Sequence, residues 1–94
     1  MWQVKESRKA NKQLNKCPKN ILAEYEVWKK IIEFSGAQAL KKISGYKDHA
    51  LKGEWIGARS SYMNKQWRVI YVTNKDEVQV FVMEVNAHDY KKKS

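Results

Sequence analysis

The chain has 94 residues, a length that predicts one domain spanning residues 1–94, with a modest core and no room for a second unit. Hydrophobic residues make up 43% of it and aromatic residues 12%, which excludes a disordered basic tail. Lysine and arginine number 19 against 10 acidic residues, so the net charge of +9 indicates a polyanionic partner. Nucleic acid, an anionic membrane and an acidic protein are all attracted by a positive charge of this size, and RNA is the favoured candidate.

Several site classes are excluded by what the sequence lacks. No apolar run approaches the ~20 residues that cross a bilayer, so we expect a soluble, cytoplasmic protein that does not bind membranes. Cys17 is the one cysteine, which rules out an internal disulfide. A zinc site built from Cys17, His49 and His88 would lack the usual closely spaced ligand pairs. We therefore expect no metal and no cofactor.

The first half of the chain predicts a strand followed by helices. Residues 2–5 alternate as a short strand, and Ser7 is a suitable N-cap for a helix that Pro18 ends. A second helix, ending at Ser35 and Gly36, is indicated by a wide apolar stripe. The stripe consists of Ile21, Leu22, Tyr25, Trp28, Ile31 and Ile32. Residues 37–43 predict a short third helical piece, and residues 45–53 a loop.

The second half changes to a strand-like period of two. Three strands joined by turns at 63–66 and 74–76 form an antiparallel meander. They cover residues 54–62, 67–73 and 77–85. The expected fold class is therefore α+β, with an N-terminal strand and two to three helices packed on one face of a small, mainly antiparallel sheet. The opposite face is left open for a ligand.

Two histidines and one strand arginine are the candidates for chemistry on RNA. Cleavage without a metal needs a base for the 2′-OH, an acid for the leaving 5′ oxygen, and cations around the phosphorus. Histidine, which titrates near ~6.5, serves as either acid or base, and arginine binds two phosphate oxygens at once. Strand parity sets Arg68 opposite to Trp67, Val69 and Tyr71, so Arg68 lies on the face away from the helices if those three are core.

A plain structural role is the alternative at each position. A loop histidine is more often simply solvated, and a strand arginine is as often a surface charge. Trp28 and Trp67 are better explained as core residues than as stacking platforms for bases. Tyr90, beside His88 in a polar tail, is harder to explain as core.

Three motifs add a family resemblance. They are Tyr-Lys-Asp-His at 46–49, Leu-Lys-Gly-Glu-Trp-Ile-Gly-Ala-Arg at 51–59 and Gln-Trp-Arg-Val-Ile-Tyr at 66–71. With the order of elements, they resemble the RelE/ParE superfamily of bacterial toxins, most closely its YafQ and YoeB branch. The resemblance implies the RelE-like microbial RNase fold and a metal-independent endoribonuclease that cuts mRNA on the ribosome. It also implies inhibition by an acidic antitoxin encoded beside it, with a monomer when free and a hetero-oligomer when bound.

The resemblance also implies roles for individual residues. His49 matches a loop histidine, Arg68 the strand arginine that contacts phosphate, and His88 the C-terminal catalytic histidine, while Tyr90 lies near the terminal aromatic residue. Basic residues near these positions are expected to contact RNA. They are Lys47, Lys52, Arg59, Lys65, Lys91 and Lys92.

Two departures from the YafQ pattern change the expected chemistry. Where YafQ-like chains have a second histidine and an aspartate, this chain has Tyr62 and Gln66. No carboxylate base is present at that position, so His49 becomes the default base for the 2′-OH.

Three functions fit the sequence. The first is an mRNA interferase in which His49 is the base or positions the 2′-OH and His88 is the acid. In it Arg68 stabilises the charge on the phosphate, and Tyr90 orients a base or phosphate. The second is a ParE-like toxin that binds DNA gyrase without catalysis, which the two histidines disfavour. The third is a non-catalytic RNA-binding module, which the charge alone supports.

Overall fold

A computed structural model describes residues 1–87 of the chain. Within these residues one strand precedes two helices, and four more strands follow, with three short 3-10 helices between them. The helices are α1 (Arg8–Lys16) and α2 (Lys19–Ser35), and the 3-10 helices are Ala37–Lys42, Ser44–Tyr46 and Gly53–Trp55. The strands are β1 (Gln3–Glu6), β2 (His49–Ala50), β3 (Arg59–Tyr62), β4 (Trp67–Asn74) and β5 (Gln79–Ala87).

The helix boundaries follow the capping residues that the sequence predicts. The Ser7 hydroxyl accepts a hydrogen bond from the Ala10 amide at 2.9 Å and begins α1. Helix α1 ends before Pro18, because the residue preceding a proline is forced into extended backbone. Helix α2 ends at Gly36, whose φ of 85° lies in the region that favours glycine.

The described strands form one sheet in the order β1-β5-β4-β3-β2. Strand β1 pairs in parallel with β5, whereas the other neighbours are antiparallel, so the predicted meander and the α+β class are confirmed. Helix α1 continues along the edge of β5 beyond β1. There the Ser7 hydroxyl donates to the Met83 carbonyl at 2.8 Å, and Gln13 accepts from the Val85 amide at 2.7 Å. These side chains satisfy backbone groups that an edge strand would otherwise expose.

Three sequence predictions about the strands are wrong. The strand predicted over 54–62 starts only at Arg59, since Gly53 and Gly57 adopt φ values of 69° and 96°, which interrupt extended backbone. The predicted loop 45–53 contains the short strand β2, which pairs with β3. Strand β5 also begins two residues later than predicted, because Val78 takes a φ of 53° in the preceding turn.

The core lies between α2 and one face of the sheet. Trp28 is fully buried at its centre, with its ring 5.4 Å from those of both Tyr25 and Tyr71. Val69 and Tyr71 of β4 belong to this core and Trp67 packs against it, so the predicted parity of β4 is confirmed. Neither helix in the described part of the chain has the length and hydrophobicity of a bilayer-spanning segment.

Candidate functional site

Strand register assigns the candidate residues to a face of the sheet. Ser61 lies opposite the core residue Val69, whereas Tyr62 lies opposite Arg68, which in turn faces Asn86 of β5. Side chains that are directly opposite in antiparallel strands share a face. Tyr62, Arg68 and Asn86 therefore form a row on the face turned away from the helices, here called the outer face.

The outer face is open in only part of its area. Ile70 is 7% exposed there and Ser60 is completely buried, although no helix of the core packs on that side. His49, by contrast, is exposed and lies opposite Ser60 in the register of β2 and β3. The prediction of an open ligand face thus holds for the region around His49 and Tyr62 and not for the whole sheet.

His49 is held with one ring nitrogen available for chemistry. Its Nδ1 lies 2.7 Å from the carbonyl oxygen of Lys47, and because a carbonyl only accepts hydrogen bonds, Nδ1 carries the proton. In the neutral ring, Nε2 then has the lone pair, which is the arrangement a general base requires. Lys47 adopts left-handed backbone, with φ 46° and ψ 40°, where its carbonyl reaches the ring two residues later.

Asp48, beside His49 in the chain, points to the other side of the sheet. Its side chain is completely buried and accepts hydrogen bonds from Arg59 Nε at 2.7 Å, Ser61 Oγ at 2.6 Å and the Tyr71 hydroxyl at 2.5 Å. A buried carboxylate is tolerated only when donors satisfy it in this way. We call these four residues the Asp48 cluster; it ties the loop that bears His49 to β3 and β4.

Burial and the Asp48 carboxylate together set the pKa values of Tyr71 and Arg59 in the Asp48 cluster. Burial raises the pKa of Tyr71, and the hydrogen bond and negative charge of Asp48 raise it further. Burial alone would lower the pKa of Arg59, but the hydrogen bond and charge of Asp48 outweigh it and raise that pKa. Tyr71 is therefore a neutral donor and Arg59 a cation at physiological pH.

Tyr62 connects His49 to Arg68. Its ring centroid is 6.3 Å from that of His49, and its backbone pairs with that of half-buried Arg68. Beside Tyr62 the surface forms an open depression with a volume of about 610 Å³. Its lining residues are Gly45, Lys47, Tyr62, Asn64 and Lys65. The structure thus brings His49, Arg68 and the expected RNA contacts Lys47 and Lys65 to one region of the outer face.

Other predicted site residues are placed differently. Lys52 is exposed, just before the 3-10 helix that follows β2. Arg59 belongs to the Asp48 cluster and lines a separate cavity of about 200 Å³ with Lys41 and Lys75, away from His49 and Arg68. From the sequence, Arg59 was expected to contact RNA, because a basic residue at the end of a glycine-containing loop gives no sign of its partner.

Four further predicted residues lie outside the described part of the chain. They are His88, Tyr90, Lys91 and Lys92. Strand β5 is described as far as Ala87, which pairs with Trp67.

A family comparison decides the class of this protein. Residues 2–90 match the family described as "Bacterial toxin of type II toxin-antitoxin system, YafQ". The chain belongs to the YafQ toxin family. It is therefore a toxin of a type II toxin–antitoxin system, within the superfamily that its motifs resemble. No curated protein sequence shows significant similarity to it.

Solved structures show that this YafQ-family toxin has a RelE-like fold. The archaeal RelE of a RelE–RelB complex from Pyrococcus horikoshii is 18% identical, with a TM-score of 0.73 over 95% of this chain and 97% of its own. A chain of the YoeB–YefM complex from Staphylococcus aureus, also 18% identical, has a TM-score of 0.71 over 95% and 99%. A YafQ variant from E. coli has 18% identity and a TM-score of 0.57 over 93% of each chain.

The role of Asp48 in this YafQ-family toxin is one that sequence reasoning missed. An aspartate directly before a candidate histidine is a signal for Asp48, since alternating residues of a strand point to opposite faces. Arg59 and Ser61, two residues apart, supply donors on the same face. No signal in the sequence identifies Tyr71 as the third donor, because it comes from a different strand.

Proposed function

We propose that this toxin is a metal-independent endoribonuclease that cleaves mRNA on the ribosome and so inhibits translation. The observation that carries the proposal is the arrangement of His49 on the outer face. Its Nδ1 is bound to the Lys47 carbonyl, its Nε2 is available as a base, and Tyr62 connects it to Arg68. A base and a phosphate-binding cation on one surface are what 2′-OH attack on a phosphodiester requires.

The reaction proceeds by transfer of two protons. His49 Nε2 removes the proton of the 2′-OH, whose oxygen attacks the adjacent phosphorus, while Arg68 stabilises the negative charge on the non-bridging oxygens. His88 donates a proton to the 5′ oxygen as its bond to phosphorus breaks, and Tyr90 orients the base or phosphate. The products are a 2′,3′-cyclic phosphate and a 5′-OH end, and no metal is needed because the side chains supply both proton transfers.

Partners follow from the charge and from related complexes. Lys47, Lys52, Lys65, Lys91 and Lys92 contact phosphates of mRNA and ribosomal RNA. An acidic antitoxin from the adjacent gene binds the toxin in a hetero-oligomer, as RelB binds RelE and YefM binds YoeB in the related solved complexes. The net charge of +9 supports both kinds of partner.

Cell-free translation of a defined mRNA tests the function. We expect codon-linked cuts, mapped to fragments with 2′,3′-cyclic phosphate and 5′-OH ends, and no cut where the ribose at the site is 2′-deoxy. Cleavage that persists on the deoxy substrate contradicts the mechanism. Intact mRNA together with poisoned DNA gyrase would instead establish the ParE-like function, and intact mRNA with stable ribosome binding a non-catalytic module.

A further inference from the structure

The depression beside Tyr62 has the chemistry of a nucleotide site. Its lining residues carry an aromatic ring, a side-chain amide and two ammonium groups, and among residues 1–87 they include no acid. Its volume of about 610 Å³ falls in the range of roughly 300–1,000 Å³ typical of ligand-binding clefts. We propose that it binds one unpaired RNA nucleotide next to the scissile bond, with the base stacked on Tyr62 and phosphate between Lys47 and Lys65. This inference rests on the proposed function and identifies how the substrate is held.

Tyr62 differs from the tyrosines of the core. Tyr25 and Tyr71 are each 1% exposed, and their hydroxyls donate to the carboxylates of Glu6 and Asp48. Tyr62 is only half-buried and lines the depression on the outer face. An aromatic ring at such a surface offers a flat apolar platform, and every base has a face that stacks on it. Tyr62 is therefore a binding residue for the base.

Asn64 limits which base edges the site recognises. Its Oδ1 accepts hydrogen bonds from the backbone amides of Gln66 at 2.8 Å and Trp67 at 2.7 Å, which uses both lone pairs in the β3–β4 turn. The amide nitrogen of Asn64 is left as a donor at the depression. The usual asparagine–adenine pair needs Oδ1 as an acceptor, so this site favours base edges that present acceptors, such as O6 and N7 of guanine.

Lys47 sets the distance between the nucleotide and the base catalyst. Lys47 is one of the residues that line the depression, and its carbonyl accepts a hydrogen bond from Nδ1 of His49. Because one residue contributes to both features, a nucleotide in the depression lies near His49. Lys65, from the β3–β4 turn, brings the second positive charge toward the same phosphate.

Substitutions of Tyr62 test the stacking. Stacking of about 1–3 kcal/mol per base corresponds to roughly 5- to 150-fold in affinity. We expect Tyr62→Leu to raise the toxin concentration for half-maximal cleavage of mRNA on programmed ribosomes about tenfold, and Tyr62→Phe to change it less than about threefold. Thermal unfolding of each variant checks that the fold is intact. Equal half-maximal concentrations for Tyr62→Leu and the wild type would overturn the proposal.

Substitution of Asn64 tests base selection. Asn64→Asp keeps an oxygen for the turn amides but removes the donor, so we expect it to lose the wild-type preference at the position that occupies the depression. Mapped cut sites across many mRNAs measure that preference, and an unchanged distribution would contradict the role of Asn64.

A binding experiment separates this inference from the proposed function. The probe is a single-stranded RNA with 2′-O-methyl riboses, which cannot be cut by 2′-OH attack. If the wild type cuts no RNA but the ring proton signals of Tyr62 shift on titration with this probe, the nucleotide site stands and the catalytic proposal fails. If the wild type cuts RNA and the Tyr62 signals do not shift, the nucleotide site is wrong.

Discussion

Asp48 and His49 are neighbours in the chain, yet they lie on opposite faces of the sheet. Asp48 is enclosed on the helix-covered side by donors from β3 and β4, whereas His49 is exposed on the outer face beside Tyr62. The helix-covered face supplies buried hydrogen bonds to Asp48, and the outer face supplies groups available to a ligand. The segment that bears this surface histidine is therefore attached to the interior through the residue before it.

The largest expected effect comes from the outer face. His49→Gln removes the base while keeping a polar side chain, and we expect the cleavage rate constant to fall by about 10²- to 10⁴-fold. The unfolding free energy should stay within about 0.5 kcal/mol of the wild type, as for other exposed positions. Single-turnover cleavage and urea unfolding measure the two quantities. A rate within threefold of the wild type would show that another group is the base.

The next effect tests the helix-covered face. Asp48→Asn leaves Arg59 without its ion pair, and we expect the unfolding free energy to fall by about 1–3 kcal/mol. Because the segment that bears His49 loses its attachment to β3 and β4, the cleavage rate constant should also fall, by about tenfold. The toxin concentration for half-maximal cleavage should change little.

Asp76→Asn is the matched control, since Asp76 is an exposed aspartate in the β4–β5 turn. It should change neither unfolding nor cleavage. If Asp48→Asn lowers stability but leaves the rate constant unchanged, the Asp48 cluster supports the fold without positioning His49.

A third prediction concerns alkaline pH. Burial and hydrogen bonds to carboxylates raise the pKa values of Tyr25, Tyr46 and Tyr71 above their ordinary value of 10.0. Above pH 10 these tyrosines therefore bind fewer protons in the unfolded chain than in the folded one, so the stability that they contribute is constant below that pH and falls above it. Tyr71→Phe should make the unfolding free energy fall less steeply with pH above 10 than it does in the wild type. Urea unfolding between pH 8 and pH 11 measures it, and parallel curves for the two proteins would contradict the role of Tyr71.

The smallest expected effect tests which lysine contacts an RNA phosphate. Lys65 lines the depression, whereas Lys75 lines the separate cavity beside Arg59, and each is changed to glutamine with the same loss of charge. We expect Lys65→Gln to reduce the slope of log affinity against log salt by about 0.7, as for one phosphate contact on single-stranded RNA. Lys75→Gln should leave the slope unchanged. Equal slopes for the two variants would assign the binding to overall charge.

Much of the fold was predictable from local chemistry. Ser7, Pro18 and Gly36 mark the helix boundaries through backbone geometry that needs no tertiary contact. The alternation in β4 correctly separated Arg68 from the core residue Val69. The predicted strand over 54–62 failed because two glycines adopt left-handed backbone, which a period of two does not detect.

The candidate site was predictable only in part. His49 and Arg68 could be selected by residue type and motif, and the structure brings them to one face. Tyr62 appeared in the sequence only as a departure from a family pattern, although it connects them. Arg59 was assigned to RNA from its charge, whereas its guanidinium pairs with Asp48.

The fold class, the family and the residue types available for chemistry follow from local sequence, because capping, periodicity and motifs act over a few neighbouring residues. Which side chains share a face, and which polar groups satisfy each other, depends on how distant segments pack together. Asp48, Arg59 and Tyr71 come from three separate segments, and strand register brings them together. The same register leaves His49 and Tyr62 on the opposite surface, since consecutive side chains of a strand alternate in direction.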